Sequence, residues 1–374
     1  MANTSWYLYN FRLPLARRLR QEGLEVVFVS PPDRYVEHLT SEGFRWVGLH
    51  QLNRRSVNPL RELFAFFELL RIYQQEKPQA LHHFTVKCVL YGTIAAKLCG
   101  IRSVVNAVTG LGHIFLGNSW PMSFLRPIIR WFYGKILKAR RVHVVFQNPD
   151  DLETFVDADL VLPEKTVLIR SSGVCTKKFC PRPGSDPELP DARAPVILFA
   201  SRLLKEKGVY DLVEAARIVK NRRSVCFKIA GDPDPGNPTA VPVETLEEWR
   251  REGAVDLLGH VDTVAELIQA SDIVVLPSYR EGTPRILLEA AAMGKAMVAT
   301  DVPGCREVVV HDLTGLLVPV RDGVALAAAI EYLLDHPLQA ADFGKNARKK
   351  IVEEFSVEKV VDSTVGLYQK MGIV

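Results

Sequence analysis

The sequence predicts an α/β protein built from two doubly wound, Rossmann-like domains in tandem, and three observations carry that prediction. Short β-branched apolar runs alternate with helix-period segments through both halves of the chain. One proline-rich stretch, with Pro181, Pro183, Pro187 and Pro190, interrupts the alternation. The length of 374 residues, 48% hydrophobic and 24% charged, suffices for two cores of ordinary size.

In chain order, the first half yields strands at 24–30, 80–83, 103–108 and 141–146, with helices at 59–76, 89–98 and 124–137. After the prolines, 196–200 reads as a strand, followed by a Lys/Gly loop and an amphipathic helix at 209–220. Strands at 225–230 and 256–258 come next, then a helix over 261–270 and the fully apolar strand 273–276. A helix start follows, with Thr283 as N-cap, Pro284 at the first helical position and Gly294 past the end. A strand at 296–299 and a helix at 326–334 complete the series. The expected division is a first domain over 1–180, a linker over 181–195 and a second domain over 196–355, with a helix at 356–374 returning to the first. On such sheets ligands bind at the carboxyl ends of the strands, where strand order reverses, which places the expected site in a cleft between the domains.

Net charge is only +4, but residues 1–149 carry 20 Lys/Arg against 8 Asp/Glu while the remainder carries 27 against 35. The basic half suits an anionic partner, be it nucleic acid, an acidic membrane surface or a lipid diphosphate; a solvated basic face reads the same way. No run reaches the roughly 18 apolar residues of a spanning helix. The start, Met1-Ala2-Asn3-Thr4-Ser5-Trp6, shows no secretory pattern. The six cysteines form no Cys-x-x-Cys pair and read as reduced, mostly buried thiols. The expected location is cytoplasmic, at the inner face of the cytoplasmic membrane.

Two constellations carry chemistry. Glu281 and Glu289 straddle a helix start, so the partially positive N–H groups around Gly282 to Arg285 lie between two carboxylates. A diphosphate suits that helix start, and carboxylates grip sugar or ribose hydroxyls. In the first strand–helix loop of the second domain, Ser201-Arg202-Leu203-Leu204-Lys205-Glu206-Lys207-Gly208, Arg202 and Lys207 are placed to neutralise phosphate oxygens. A basic surface loop is the bland reading of that segment by itself; the glutamate pair downstream tips it.

With Pro277-Ser278-x-x-Glu281-Gly282-x-Pro284, Leu287-Leu288-Glu289-Ala290, Ser201-Arg202-Leu203 with Lys207-Gly208, residues 298–307 and Gly315-Leu316-Leu317-Val318-Pro319 in place, the sequence resembles the GT-B, family 4 retaining glycosyltransferases. It looks most like bacterial members that extend saccharides on undecaprenyl diphosphate, on residues 9–15, 82–87, 108–112 and 231–235. The resemblance implies two Rossmann-like domains facing across a cleft, the first binding acceptor and the second nucleotide sugar. It implies that Arg202 and Lys207 hold the donor diphosphate, Glu281 touches the transferred sugar and Glu289 takes the ribose. Backbone near Gly282 and Thr283 would meet phosphate, with Ser201 alongside and backbone near His260 and Val261 at the base. Asn10, Arg12, Lys87, Thr109, Gly110 and His113 make up the implied acceptor or sugar side. A histidine that many relatives carry near the donor sugar is replaced here by Thr109, which leaves its role unassigned.

The implied reaction is front-face substitution: transfer of a hexose or N-acetylhexosamine from a UDP-sugar to a polyprenyl-diphosphate-linked saccharide. The leaving phosphate deprotonates the acceptor, without metal or other cofactor. A nucleotide-sugar epimerase of the same fold and an inactive truncated homologue are the alternatives. Asp232-Pro233-Asp234 looks like a metal-binding pair but reads as a turn. Gly110-Leu111-Gly112 lacks the rest of a dinucleotide fingerprint. His82-His83 reads as core or cleft histidines. The aromatic and basic helix at 124–138 fits either a membrane interface or a sheet cover with snorkelling lysines and arginines.

Members of that family begin with a buried strand leading into the loop that corresponds here to residues 3–10. Its absence is expected to leave strands 24–30 and 103–108 without ladder partners. Two readings follow: the start at Met1 is internal to a longer natural chain, or the first domain is altered and activity impaired.

Overall fold

A computed structural model of the chain describes residues 1–53, 56, 58–108, 131, 133–139, 141–181 and 193–374. Two compact units are present: Met1–Gly173 together with Val357–Val374, and Val174–Ser356. Most of the proline-rich stretch, residues 182–192, lies outside the described residues.

The first unit opens with α1 (Ser5–Gln21), not the irregular loop expected over 3–10. Thr4 sits in extended backbone, and its side chain accepts from the Tyr7 N–H at 3.1 Å, which starts the helix. Leu8, Leu15, Ala16 and Leu19 then bury one face. There follow β1 (Val27–Ser30), α2 (Val36–Ser41), β2 (Arg45–Gly48), α3 (Pro59–Glu76), β3 (Ala80–Phe84), α4 (Val86–Leu98), β4 (Ser103–Val108), β5 (Val142–Phe146), α5 (Pro149–Asp157) and β6 (Thr166–Leu168).

Strand pairing in this unit is parallel and comes in two pieces, β1 with β2 and the sheet β3-β4-β5-β6. Met1 and Ala2 lie between the pieces. The Met1 amine donates to the His82 carbonyl at 2.9 Å, Phe84 N–H to the Met1 carbonyl at 2.9 Å, and Ala2 N–H to the Val29 carbonyl at 3.1 Å. The strands flanking that position are therefore β1 and β3. Strand β4, expected there, is instead paired on both sides, because α3 carries the chain across and lays β3 down first. Fully buried His83 is satisfied within this core: it bonds Tyr73 Oη and Asn106 Oδ1, each at 2.8 Å.

The second unit contains β7 (Val196–Ala200), α6 (Val209–Lys220), β8 (Cys226–Ala230), α7 (Val243–Glu252), β9 (Asp256–Gly259), α8 (Val264–Ala270), β10 (Ile273–Leu276), α9 (Arg285–Ala292), β11 (Ala296–Thr300), α10 (Cys305–Val308), β12 (Leu316–Val318), α11 (Gly323–Asp335) and α12 (Pro337–Lys350). Its six parallel strands run in the order β12-β11-β10-β7-β8-β9. All four residues of β10 are buried, which explains an unbroken apolar run. From β7 the chain lays strands to one side, then returns and lays the rest on the other, so order reverses between β7 and β10. Pairing between these two covers only Ile273 with Ile197 and Val274 with Leu198.

The last helix, α13 (Val357–Lys370), belongs to the first unit and packs on α1.

Candidate functional site

The loops that leave β7 and β10 meet at the reversal point. Gly208 takes φ +70° at the start of α6, and a Cβ there would run into the Pro277 carbonyl. The Tyr279 N–H donates to the Glu206 carbonyl at 2.9 Å, so the two loops touch backbone to backbone. That contact sets Lys207 beside Glu281, ammonium to Oε1 at 2.5 Å, with side-chain exposures of 16% and 12%. Fully buried Ser278 donates its hydroxyl to the same oxygen at 2.7 Å, while its carbonyl accepts from the Thr300 hydroxyl. Opposite them, Gly304 takes φ +80° with no room for a Cβ, which would strike the carbonyls of Glu281 and Gly282.

Helix α9 begins one residue later than the sequence suggests. Pro284 is the N-cap and Arg285 the first helical residue, because a proline in extended backbone precedes the turn and supplies no side-chain cap. Gly294 lies beyond the helix with φ +68°, as expected of a terminating glycine. Glu289 points back toward the first turn, where it accepts from Arg285 Nε at 2.7 Å. It is 6% exposed, and burial raises its carboxyl pKa against the opposing pull of Arg285 and Lys178.

Arg202 stands on the same loop as Lys207 and donates to Asp234 Oδ2 at 2.7 Å. Its side chain is 54% exposed and Asp234's only 9%. The Asp232-Pro233-Asp234 turn therefore holds Arg202, a partnership that no local spacing announces. Ser201 contributes backbone, its N–H donating to the Ala230 carbonyl at 3.0 Å. His260 and Val261 follow β9; His260 is exposed and meets Asp262 at 3.2 Å, and no described bond joins it to the Lys207–Glu281 group. Gly282 and Thr283 lie on the loop between Glu281 and α9, both half-buried. Ser278, Arg285 and Asp234 are the site residues that sequence reasoning did not assign a role.

In the first unit, Asn10 is exposed on α1 and donates to the Trp6 carbonyl at 2.9 Å. Arg12 faces inward, 8% exposed, its guanidinium 4.1 Å from the Phe84 ring centroid. The Lys87 ammonium donates to the carbonyls of Asn53 and Ser56 at 2.9 and 2.5 Å and to Glu62 at 2.7 Å, tying down the loop ahead of α3. Thr109, Gly110 and His113 lie outside the described residues, as does most of 124–138.

A parallel sheet with paired cations and acids at its reversal point suits an anionic, hydroxyl-rich ligand. The family model for glycosyl transferases group 1 matches residues 194–336, and that for glycosyl transferase 4-like proteins matches residues 1–145. The chain belongs to the group 1 glycosyltransferases. Among relatives of this glycosyltransferase is the N,N'-diacetylbacillosaminyl-diphospho-undecaprenol alpha-1,3-N-acetylgalactosaminyltransferase of Campylobacter jejuni. It is 29% identical over 353 residues, covering 92% of this chain and 91% of the relative. The alpha-maltose-1-phosphate synthase of Mycolicibacterium smegmatis is 30% identical over 326 residues, 81% of this chain and 82% of that one. A solved structure of Anabaena HepE with UDP superposes with a TM-score of 0.78 at 20% identity, covering 99% of this chain and 98% of HepE. The shared fold is GT-B. No helix among the described residues is long and apolar enough to cross a membrane.

Proposed function

We propose that this glycosyltransferase is a retaining, metal-independent enzyme that moves a hexose or N-acetylhexosamine from a UDP-sugar onto a saccharide carried on a polyprenyl diphosphate. The product would enter surface polysaccharide or another glycan. One observation carries the reading: the Lys207–Glu281 contact at the β7/β10 reversal, with the start of α9 beside it and Glu289 buried behind Arg285.

In this reading the donor diphosphate lies against Lys207, Arg202 and the amides near Gly282 and Thr283. Lys207 exchanges Glu281 for phosphate oxygens as donor enters, and Glu281 turns to hydroxyls of the transferred sugar. Glu289 holds the ribose. The acceptor oxygen attacks the anomeric carbon on the face that the diphosphate leaves. A carbon–oxygen bond to the sugar forms, the bond to the β-phosphate oxygen breaks, and the hydroxyl proton passes to the departing diphosphate. Fixed cations that meet charge as it develops lower the barrier without reorganising. The lipid-linked acceptor is taken from the Campylobacter relative, whose printed activity names such an acceptor. The basic composition of residues 1–149 suits both the acceptor's diphosphate and an anionic membrane surface.

The test is a transfer assay with a panel of UDP-sugars and short polyprenyl-diphosphate saccharides, in the presence and absence of EDTA, with product anomers assigned by NMR. The expected product keeps the donor's anomeric configuration and forms at the same rate in EDTA. Inversion or loss of turnover in EDTA overturns the retaining or the metal-independent part, and change of free UDP-sugar without acceptor would indicate an epimerase.

A further inference from the structure

Tyr279 lies on the loop that leaves β10, one residue after Ser278 and two before Glu281, and has no part in the transfer chemistry above. Its backbone and its side chain pin that loop in two directions. The N–H donates to the Glu206 carbonyl at 2.9 Å, next to Lys207. The ring turns instead to α6 and to the turn after β12. There its hydroxyl bonds the carboxylate of Asp211, in the first turn of α6. The Arg321 guanidinium lies 5.0 Å from the ring centroid and meets the same hydroxyl.

Both partners sit where local forces disfavour them. Arg321 takes φ +59°, left-handed backbone that a side chain rarely adopts, just ahead of the Asp322 that caps α11. Asp211 Oδ2 is buried and has no hydrogen-bond partner. Burial raises the Asp211 carboxyl pKa and the nearby acids Glu214 and Asp322 add to this, against the pull of the Tyr279 hydroxyl and Arg321. The Tyr279 hydroxyl, its own pKa pushed up to about 12 by burial and by Asp211, stays protonated and donates. Gly323 brings the start of α11 against Glu214 of α6, too close for a Cβ, so Asp211 and Arg321 stand on one packed block.

We propose that Tyr279 is a positioning residue, clasped between Asp211 and Arg321, which holds the Ser278–Glu281 loop in place beside Lys207 while donor is bound. The proposal rests on the glycosyl-transfer reading of that site. In that reading donor entry breaks the Lys207–Glu281 contact, so the loop loses one of its anchors just when Glu281 must meet the sugar. The clasp persists, because its side chains have no described bond to Lys207 or Glu281 and need not yield to the ligand. A drift of about 1 Å at such a group costs on the order of 10²-fold in rate. A buried carboxylate kept against like charge, and an arginine kept in left-handed backbone, are what a required geometry leaves behind.

The experiment compares Tyr279→Phe, Asp211→Leu, their double variant and Asp211→Asn in the full chain. It reads transfer kinetics, thermal unfolding and the exchange rate of the amide at position 279, which needs no turnover. Tyr279→Phe keeps the ring and loses only the hydroxyl; kcat is expected to fall about tenfold, with acceptor KM within about twofold. Asp211→Leu should match it, and the double variant should fall no further, as befits one shared contact. Asp211→Asn still accepts the hydroxyl's hydrogen bond and should keep kcat within about threefold of the parent. The amide at 279 should exchange about tenfold faster in the first three variants and at the parent rate in Asp211→Asn. Losses that multiply in the double variant, or an amide unmoved by Asp211→Leu, overturn the clasp. So does a lower unfolding midpoint with kcat and the amide unchanged, which would mean packing alone. A parent chain that transfers no sugar yet shows the expected amide pattern upholds the clasp and fails the proposed function.

Discussion

The Lys207 ammonium and Glu281 Oε1 lie 2.5 Å apart although 74 residues separate them in the chain. Each sits on a loop that ends a different central strand, and neither side chain has much solvent to fall back on. Removing one partner leaves a poorly solvated charge. Lys207→Met is expected to lower stability by about 2–4 kcal/mol, the buried-pair figure discounted for residual exposure. It should also cut kcat by about 10²–10³-fold. Adding Glu281→Gln should recover much of the stability and none of the turnover. Denaturant unfolding and transfer kinetics on the single and double variants check this; recovery of turnover in the double variant would contradict the phosphate role of Lys207.

Arg202 offers a contrasting case, because its side chain is 54% exposed while its partner Asp234 is buried. Arg202→Ala should lower kcat by at least tenfold with little change in KM, and lower stability by about 1–2 kcal/mol, because Asp234 stays buried without this donor. Steady-state kinetics and a thermal scan of that single variant decide it.

Burial raises the Glu289 carboxyl pKa above its ordinary value. The native state therefore holds this proton at pH values where the unfolded chain has lost it, and the carboxylate lowers stability as pH climbs through that window. Below the ordinary carboxylate range both states are protonated and the effect vanishes. Glu289→Gln should accordingly gain stability relative to the parent as pH rises above about 4.5 and level off beyond the native pKa. Donor affinity should fall in the same variant. Unfolding curves from pH 4 to 8, with donor titrations at pH 7, read both effects.

Gly304 separates backbone space from side-chain chemistry. With φ +80° and the carbonyls of Glu281 and Gly282 in the way of a Cβ, Gly304→Ala must push the loop that carries Glu281. Donor affinity is expected to drop at least tenfold although no charged or polar group has been removed. Calorimetric titration with donor tests it, and unchanged affinity would show that the loop shifts freely.

His83, fully buried and hydrogen-bonded as a neutral ring, has its pKa lowered by burial to about 3. Below the ordinary histidine range the unfolded chain takes up a proton that the native state refuses. Stability should therefore fall on acidification from about pH 6.5, by roughly 1.4 kcal/mol per pH unit for this group. His82, also held neutral by burial, steepens the slope. Unfolding free energies measured from pH 7.5 to 5 give the slope directly.

Much of the second unit was legible in the sequence because fully buried parallel strands such as β10 have to be apolar along their whole length. The loops at the sheet's carboxyl edge were legible for the same reason, since they begin where those runs stop. What local pattern could not supply was pairing at a distance: Asp234 reads as turn chemistry until the fold brings Arg202 to it across 32 residues. Helix α1 was missed because Arg12 interrupts its buried apolar stripe while Arg17, Arg18 and Arg20 crowd the rest of its surface, and its start depends on one hydroxyl, that of Thr4. Helix α7 and helix α12 escaped notice as strongly polar segments with narrow buried stripes. The neighbours of Met1 and Ala2 were misassigned because strand order across a sheet is a property of the crossover helices, not of any strand's own residues.

Strands β7 and β10 remain paired for only two residues before they part. The mouth that results is a property of the main chain, set by the twist of the sheet and the two crossover directions. Exposed side chains on the diverging loops that hold no buried partner can therefore be exchanged with small effect on the sheet beneath them. A lineage built on this unit is free to try new sugars by replacing loop residues, and it retains the groove whichever of them succeeds.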